Sequence, residues 1–170
     1  QMCIRDRVYS ALFAQSNEDK KTVFQLSFVP PLSTNGAYSH QYTNTVSLNL
    51  LVGISRNEEA FTWGGISNII LNDAKGFQMA GLSNYVGNDG QGVQSAGLAN
   101  INKNKFSGFQ MAGLANTASA MTGFQFAGLV NIAKEVNGLQ VAGLVNIAKE
   151  VNGVQFAGLV NIANKSNCPI

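Results

Sequence analysis

The chain has 170 residues, enough for one domain with a sizeable core. Only 12% of the residues are charged and 45% are hydrophobic, and the net charge of +2 gives no electrostatic reason to expect a nucleic acid or an anionic membrane as partner. No apolar run reaches the ~18 residues of a membrane-spanning helix. A zinc site is not expected, because the single histidine, His40, has neither Cys3 nor Cys168 near it in the sequence.

Residues 1–14 contribute nothing to the predicted fold. Gln1–Arg7 resembles the translated adapter of a sequencing read, the alternative being a genuine basic leader. Val8–Ala14 resembles the end of a secretory signal peptide cleaved after Ala14, the alternative being a short buried strand. A signal peptide would place the mature protein outside the cytoplasm.

Residues 15–59 predict a small group of N-terminal strands. Thr22–Val29 alternates well enough for a strand, and Pro30–Gly36 then breaks the chain with an Asn-Gly turn signal. Thr45–Ser55 predicts a second strand, which leads into the polar turn Arg56–Glu59. We expect these strands to cap the first coil of a stack or to begin the wall of a barrel.

An internal repeat occupies residues 60–163. The twelve residues AGLVNIAKEVNG occur at Ala127–Gly138 and again, unchanged, at Ala142–Gly153. Six copies share the frame G-φ-Q-x-A-G-L-x-N, where φ is apolar, and a degenerate seventh copy begins at Ala60. The six copies begin at Gly76, Gly92, Gly108, Gly123, Gly138 and Gly153. Residues 164–170 form a tail that suggests a truncated chain.

Each unit predicts short β-strands rather than a helix. Glycine recurs throughout the unit, and each glycine inside a helix costs about 1 kcal/mol relative to alanine. Apolar residues alternate as in strands, and the charged residues of the six copies all follow the motif, as expected of a connector. These charged residues are Asp89, Lys103, Lys105, Lys134, Glu135, Lys149 and Glu150. We therefore expect an all-β chain whose connectors face water.

The favoured architecture is a β-solenoid of 15–16-residue coils, in which identical positions stack about 4.8 Å apart. We expect stacked leucines, with Leu129 pointing into a dry core, together with glutamines and asparagines that form amide ladders, and a central glycine at a tight corner. The leucines are Leu82, Leu98, Leu114, Leu129, Leu144 and Leu159. The glutamines are Gln78, Gln94, Gln110, Gln125, Gln140 and Gln155. The asparagines are Asn84, Asn100, Asn116, Asn131, Asn146 and Asn161.

The alternative architecture is an antiparallel outer-membrane β-barrel segment. Eleven uncharged residues at ~3.3 Å each, tilted by about 40°, span roughly 27 Å, close to the apolar band of such a barrel. Each unit would then be one membrane strand with its charged connector as the turn. Gly128 would lie in the middle of a strand on the lipid face, and aromatic girdles are missing, so we favour the solenoid.

The repeat, together with the preceding Phe28–Gly36 and Val46–Gly53, resembles bacterial surface-repeat proteins of the kind found in Bacteroidetes and Leptospira. The resemblance covers residues 22–163. It implies an exported protein at the cell surface or outer membrane of a Gram-negative bacterium, with no chemistry to transfer to individual residues. It also implies that longer members continue into a region similar to an outer-membrane barrel.

We predict no catalytic residue, no metal ligand and no cofactor. Glu58 and Glu59 are interpreted as members of a solvated turn. Trp63 is interpreted as a packing residue of the first coil. The glycine-rich motif lacks the lysine and the following helix of a P-loop. We expect a non-enzymatic, exported scaffold or adhesion module with an unidentified protein or glycan partner. The alternatives are a wall segment of an outer-membrane pore or transporter and, more distantly, a solenoid that binds carbohydrate through outward glutamines and asparagines.

Overall fold

The computed structural model describes residues 20–167 and confirms the predicted all-β solenoid, with about eight turns. A 3-10 helix, Gly36–Gln41, interrupts the strands near the N-terminal end. The strands are β1 (Lys20–Val29), β2 (Leu32–Ser33), β3 (Tyr42–Asn49), β4 (Val52–Ser55), β5 (Asn57–Gly64), β6 (Ser67–Ile70), β7 (Ala74–Ala80), β8 (Ser83–Val86), β9 (Gly90–Ala96), β10 (Ala99–Asn102), β11 (Lys105–Ala112), β12 (Ala115–Ala127), β13 (Val130–Ala142), β14 (Val145–Ala157) and β15 (Val160–Ser166). The predicted signal peptide, Val8–Ala14, and the adapter-like Gln1–Arg7 lie outside the described residues, as do Cys3 and Cys168.

Each coil consists of two strands joined at a corner. In one coil β7 runs to Ala80, the pair Gly81–Leu82 turns the chain, and β8 returns along the other side. The first side, here called the broad face, contains β1, β3, β5, β7, β9, β11 and the C-terminal parts of β12, β13 and β14. The second side, the short face, contains β4, β6, β8, β10, the N-terminal parts of β12, β13 and β14, and β15.

Neighbouring coils pair in parallel and in register. Gln110 is the partner of Gln125, and Asn116 is the partner of Asn131, so each motif residue lies over its equivalent. The rival barrel needs consecutive units to pair antiparallel. The structure has parallel coils instead, and the barrel prediction is therefore wrong.

The stack of coils begins before the sequence motif. β3 and β4 pair in parallel with β5 and β6, so residues 42–55 already form a coil. The predicted single strand Thr45–Ser55 is wrong, because Leu50 and Leu51 form a corner between β3 and β4. β1 also pairs in parallel with β3, and only β2 runs antiparallel, folded back on β1.

The central glycine of the motif lies at a corner where consecutive coils touch. A Cβ atom on Gly128 would lie 2.0 Å from the carbonyl oxygen of Gly113, well inside any permitted contact. The first glycine of the motif is constrained twice. Gly123 has a φ of +114°, and its Cβ would lie 2.2 Å from the oxygen of Gly108. Both glycines therefore set how closely the coils stack.

The interior of the solenoid is narrow and largely polar. Among residues 20–167, 22 buried residues are polar or charged and 15 are apolar, so hydrophobic side chains do not dominate this core. Apolar packing is concentrated beside the connectors. The main apolar cluster contains Phe106, Ala118, Met121, Ala133, Val136, Ala148 and Val151. Most large apolar side chains of the motif lie on the outer surface instead.

Candidate functional site

The glutamines of the motif form a continuous hydrogen-bonded row inside the solenoid. Gln125 Nε2 donates to Gln110 Oε1 at 2.7 Å, and Gln140 Nε2 donates to Gln125 Oε1 at 2.7 Å. Every amide in this row donates towards the N-terminal end of the stack. The row contains Gln78, Gln94, Gln110, Gln125, Gln140 and Gln155. Each amide thus supplies the hydrogen-bond partner that its buried neighbour needs.

The asparagines form a second row on the opposite inner wall. Asn116 Nδ2 donates to Asn131 Oδ1 at 3.0 Å and also to the carbonyl oxygen of Phe126 at 2.7 Å. This row donates towards the C-terminal end, the reverse of the glutamine row. It contains Asn84, Asn100, Asn116, Asn131, Asn146 and Asn161, and Asn68 precedes it. The second donor bond ties each asparagine to the broad face as well as to its neighbour.

Burial of these two rows removes the basis for carbohydrate binding by outward amides. From Gln78 to Gln140 and from Asn84 to Asn146, the side chains have no exposed surface. Apart from Gln78 Nε2, the amide nitrogens of these side chains donate within the stack, where a sugar cannot reach them. The rows hold the coils together and leave ligand binding to the outer surface.

The leucines lie outside, which corrects the expectation of a dry leucine core. Leu129 is 41% exposed and follows the corner glycine Gly128. β12 ends at Ala127 and the chain bends at Gly128, so the strand alternation does not continue through the corner and Leu129 points outward. The exposed leucine row contains Leu82, Leu98, Leu114, Leu129, Leu144 and Leu159. The leucines do stack, but they form an outer edge of the solenoid.

Replacing Leu129 by aspartate should therefore leave the fold intact. Leu129 loses about half of its surface on folding, so the substitution should lower the free energy of unfolding by only about 1 kcal/mol. Urea unfolding followed by circular dichroism measures this change. An unfolded Leu129→Asp protein would show that the leucine is a core residue after all.

Two further apolar rows cover the broad face on its outer side, in register from coil to coil. The phenylalanine row contains Phe24, Val46, Phe61, Phe77, Val93, Phe109, Phe124, Leu139 and Val154. The methionine row contains Leu26, Leu48, Trp63, Met79, Ser95, Met111, Phe126, Val141 and Phe156. Trp63 is 42% exposed and belongs to this outer surface, so it is not simply a packing residue.

The short face carries an equivalent outer row. The isoleucine row contains Ile54, Ile69, Tyr85, Ile101, Thr117, Ile132, Ile147 and Ile162. Beside it, Val130, Val145 and Val160 make the last coils apolar across the whole face. We name the leucine, phenylalanine, methionine and isoleucine rows together the apolar belt. The belt covers both faces and the edge that joins them.

The charged residues occupy the remaining edge, formed by the connectors. Lys134, Glu135, Lys149 and Glu150 are exposed there, and Lys165 Nζ lies 3.1 Å from Glu150 Oε1. Such an exposed pair contributes little to stability, but it shows that both signs of charge share this connector edge. The cross-section is thus divided into an apolar belt and a charged edge.

Glu58 is buried, which corrects its assignment to a solvated turn. It lies in β5, where alternation turns Glu58 inward and Glu59 outward. Glu58 Oε1 accepts hydrogen bonds from Ser47 Oγ at 2.7 Å and Asn44 Nδ2 at 3.0 Å. Its Oε2 atom has no protein partner, and neither do Thr62 Oγ1 and Gln78 Nε2. The glutamine row therefore ends in a polar cluster where Thr62 replaces the next glutamine.

Burial raises the pKa of Glu58 above its usual value of 4.5, although hydrogen bonds from Ser47 and Asn44 partly oppose the shift. The Glu58 carboxyl group therefore binds its proton more tightly in the folded protein than in the unfolded chain. The protonated group contributes its full share of the folding stability below pH 4.5, and this share is lost as the pH rises through the raised pKa. We expect Glu58→Gln to be more stable than the parent at pH 7 and to flatten this dependence. Urea unfolding at a series of pH values tests this, with the exposed Glu59→Gln as control. If the free energy of unfolding changes with pH equally in both variants, the prediction is contradicted.

The described residues contain no group of three or more histidine, cysteine, aspartate or glutamate side chains able to hold a metal ion. No helix within residues 20–167 has the length and apolar character needed to cross a membrane. No known protein family, curated protein or solved structure matches the chain. The most distinctive surface of the described residues is the apolar belt, whose rows stay in register from coil to coil.

Proposed function

We propose that this chain is a non-enzymatic, exported repeat protein that acts as a rigid scaffold and binds a partner through its apolar belt. The observation that carries the proposal is the continuity of the outer apolar rows, which stay in register over the length of the stack. Monomeric soluble proteins rarely expose a contiguous apolar patch above about 600 Å². A belt of this kind is typical of a binding surface.

The area of the broad face supports this role. Nine coil positions at ~4.8 Å and about five residues at ~3.3 Å give a face of roughly 43 by 16 Å, or about 700 Å². That area approaches the ~800 Å² that each partner contributes to a standard interface. The broad face alone is thus large enough for specific binding.

The interior supports a scaffold rather than a catalytic role. The two amide rows and the corner glycines fix the spacing of the coils, and neither row has exposed polar atoms over its central coils. Glu58, the carboxyl group whose pKa is raised, is buried, and its Oε1 atom accepts hydrogen bonds from Ser47 and Asn44 within the stack. Export from the cytoplasm is proposed from the sequence Val8–Ala14, and the surface location from the resemblance of residues 22–163 to bacterial surface-repeat proteins.

The proposal can be tested with an apolar fluorescent dye and sedimentation velocity on the full chain. We expect the parent protein to bind the dye, and the triple variant Phe77→Thr, Phe124→Thr, Phe156→Thr to lose most of that binding while keeping its β-sheet spectrum. Threonine suits an exposed strand position.

The matched control carries three threonines on the polar outer row of the same face, at Gln91, Ser107 and Asn137. It should bind the dye as the parent does. A parent protein that stays monomeric and binds no dye would refute the proposed binding role.

A further inference from the structure

We propose that the partner of the apolar belt is a lipid surface, and that the leucine row inserts into one leaflet of a membrane. This inference rests on the proposed function, because it names the ligand of the same surface. It follows from the shape of the belt, its depth, the pairing of its backbone and the position of the charges.

The shape of the belt favours a fluid apolar layer over a second copy of the chain. The belt covers the broad face, the leucine edge and the short face, on three sides of the same rod. A second copy packed on the broad face would leave the leucine edge and Ile132, Ile147 and Ile162 in water. A hydrocarbon layer entered edge-first covers all three sides at once.

The depth of the belt matches one leaflet. Within a coil, Phe77 and Leu82 mark the two borders of the apolar rows on the broad face. Five residues at ~3.3 Å extend over about 16 Å, and half of a ~30 Å hydrocarbon core is about 15 Å. A rod lying in the membrane plane would therefore place its apolar rows in hydrocarbon and its connector edge near the headgroups.

The backbone N–H groups of the inserted edge already have partners, which lowers the cost of placing this edge in an apolar medium. Gly128 N donates to the carbonyl oxygen of Ala112 at 3.1 Å. Leu129 N and Val130 N both donate to the carbonyl oxygen of Leu114, at 3.1 and 2.9 Å. The same pattern recurs at the other corners. Insertion of the leucine edge would therefore leave few backbone N–H groups without a hydrogen-bond partner in the lipid.

The charges lie where headgroups would meet the rod. A shallow groove on the short face has Ile132 and Ile147 on one side and Lys134 and Lys149 on the other. Lysines at this border can place their amines at the headgroup level while their carbon chains stay in the apolar layer. Glu135 and its equivalents balance these amines, so zwitterionic lipid should suffice and anionic lipid is not required.

The test is flotation of the full chain with large unilamellar vesicles of phosphatidylcholine. Trp63, the one tryptophan of the sequence, lies in the methionine row and reports insertion directly. We expect the protein to float with the vesicles, and phosphatidylcholine brominated on its acyl chains to quench Trp63 fluorescence.

Two variants with the same change in net charge separate insertion from electrostatic attraction. The leucine variant is Leu114→Asp, Leu129→Asp, Leu144→Asp, and the edge variant is Ser119→Asp, Lys134→Gln, Lys149→Gln. We expect the leucine variant to lose at least tenfold in its vesicle partition coefficient and the edge variant to stay within twofold of the parent. Circular dichroism checks folding, and serines at the same three leucines replace the aspartates if the leucine variant does not fold.

Three results would overturn the inference. Equal losses by both variants would show that binding is electrostatic. If the parent chain does not bind vesicles but sediments as a dimer, the partner of the belt is a second copy of the chain. The proposed binding role then still stands. A parent chain that ignores vesicles, stays monomeric and binds no apolar dye would refute both proposals.

Discussion

Replacing Asn116 by aspartate is expected to lower the free energy of unfolding by about 3–5 kcal/mol at pH 7, because it buries a negative charge that keeps one hydrogen bond and loses two. The asparagine donates to Asn131 Oδ1 and to the carbonyl oxygen of Phe126, and accepts from Asn100 Nδ2 at 2.9 Å. An aspartate of the same shape keeps the accepted bond but points an anion at two oxygen atoms. Urea unfolding at pH 7 measures the loss, and acidification should reduce it as the new carboxyl group is protonated.

Asn137→Asp is the matched control for this prediction. Asn137 also belongs to a stacked pair, since Asn152 Nδ2 donates to its Oδ1 at 3.0 Å, but the pair is exposed to water. We expect a change below about 0.5 kcal/mol. Equal losses for Asn116→Asp and Asn137→Asp would show that burial of the asparagine row does not matter to stability.

Replacing Gly128 by alanine should lower the free energy of unfolding by about 3 kcal/mol or more, at the upper end of overpacking effects. The new methyl group would lie 2.0 Å from the backbone oxygen of Gly113, and a backbone atom cannot turn away as a flexible side chain can. The two coils must separate at this corner, which also lengthens the hydrogen bond from Gly128 N to Ala112. Thermal unfolding followed by circular dichroism provides the measurement.

Ser107→Ala serves as the control for the corner, since Ser107 lies on the outer polar row of the broad face. It removes one exposed hydroxyl group and should leave the melting temperature nearly unchanged. If Gly128→Ala and this control have the same melting temperature, the corner glycines do not set the spacing of the coils.

The spacing of the repeats predicts the architecture, because each coil of a solenoid contains nearly the same number of residues. Steps of 15 or 16 residues return each motif residue to the same place in the next coil, and the pairing of Asn116 with Asn131 follows from that count. The absence of charge within the motif and its presence in the connectors separates the connector edge from the rest. Neither observation depends on which side chains point inward.

The direction of the side chains could not be predicted in the same way. Alternation places Gln125 and Ala127 on one side of a strand and Phe124 and Phe126 on the other, but both assignments have the same period. The usual preference for apolar cores points to the phenylalanine side, and uninterrupted alternation would place Leu129 inward beside Gln125 and Ala127. The coil is too narrow for rows of phenylalanine, whereas alanine and mutually bonded amides fill it. The alanine two residues after each glutamine is the sequence signal for this narrow interior.

The coils before the motif were harder to predict for a related reason. Leu50 and Leu51 turn the chain without the glycine that marks later corners, so the surrounding residues look like one apolar strand. Glu58 looks like part of a polar turn because its partners, Ser47 and Asn44, lie in the preceding coil and not nearby in the sequence. Both errors arise where the repeat pattern is lost.

The opposite directions of the two amide rows have a consequence for the length of the stack. A side-chain amide carries a dipole, and the dipoles of the glutamine row point along the axis against those of the asparagine row. Each added coil therefore contributes two nearly cancelling moments, and no charge accumulates at the ends as it does in a long α-helix. The amide dipoles therefore set no limit on the number of coils, and the identical Ala127–Gly138 and Ala142–Gly153 illustrate a unit copied within the chain.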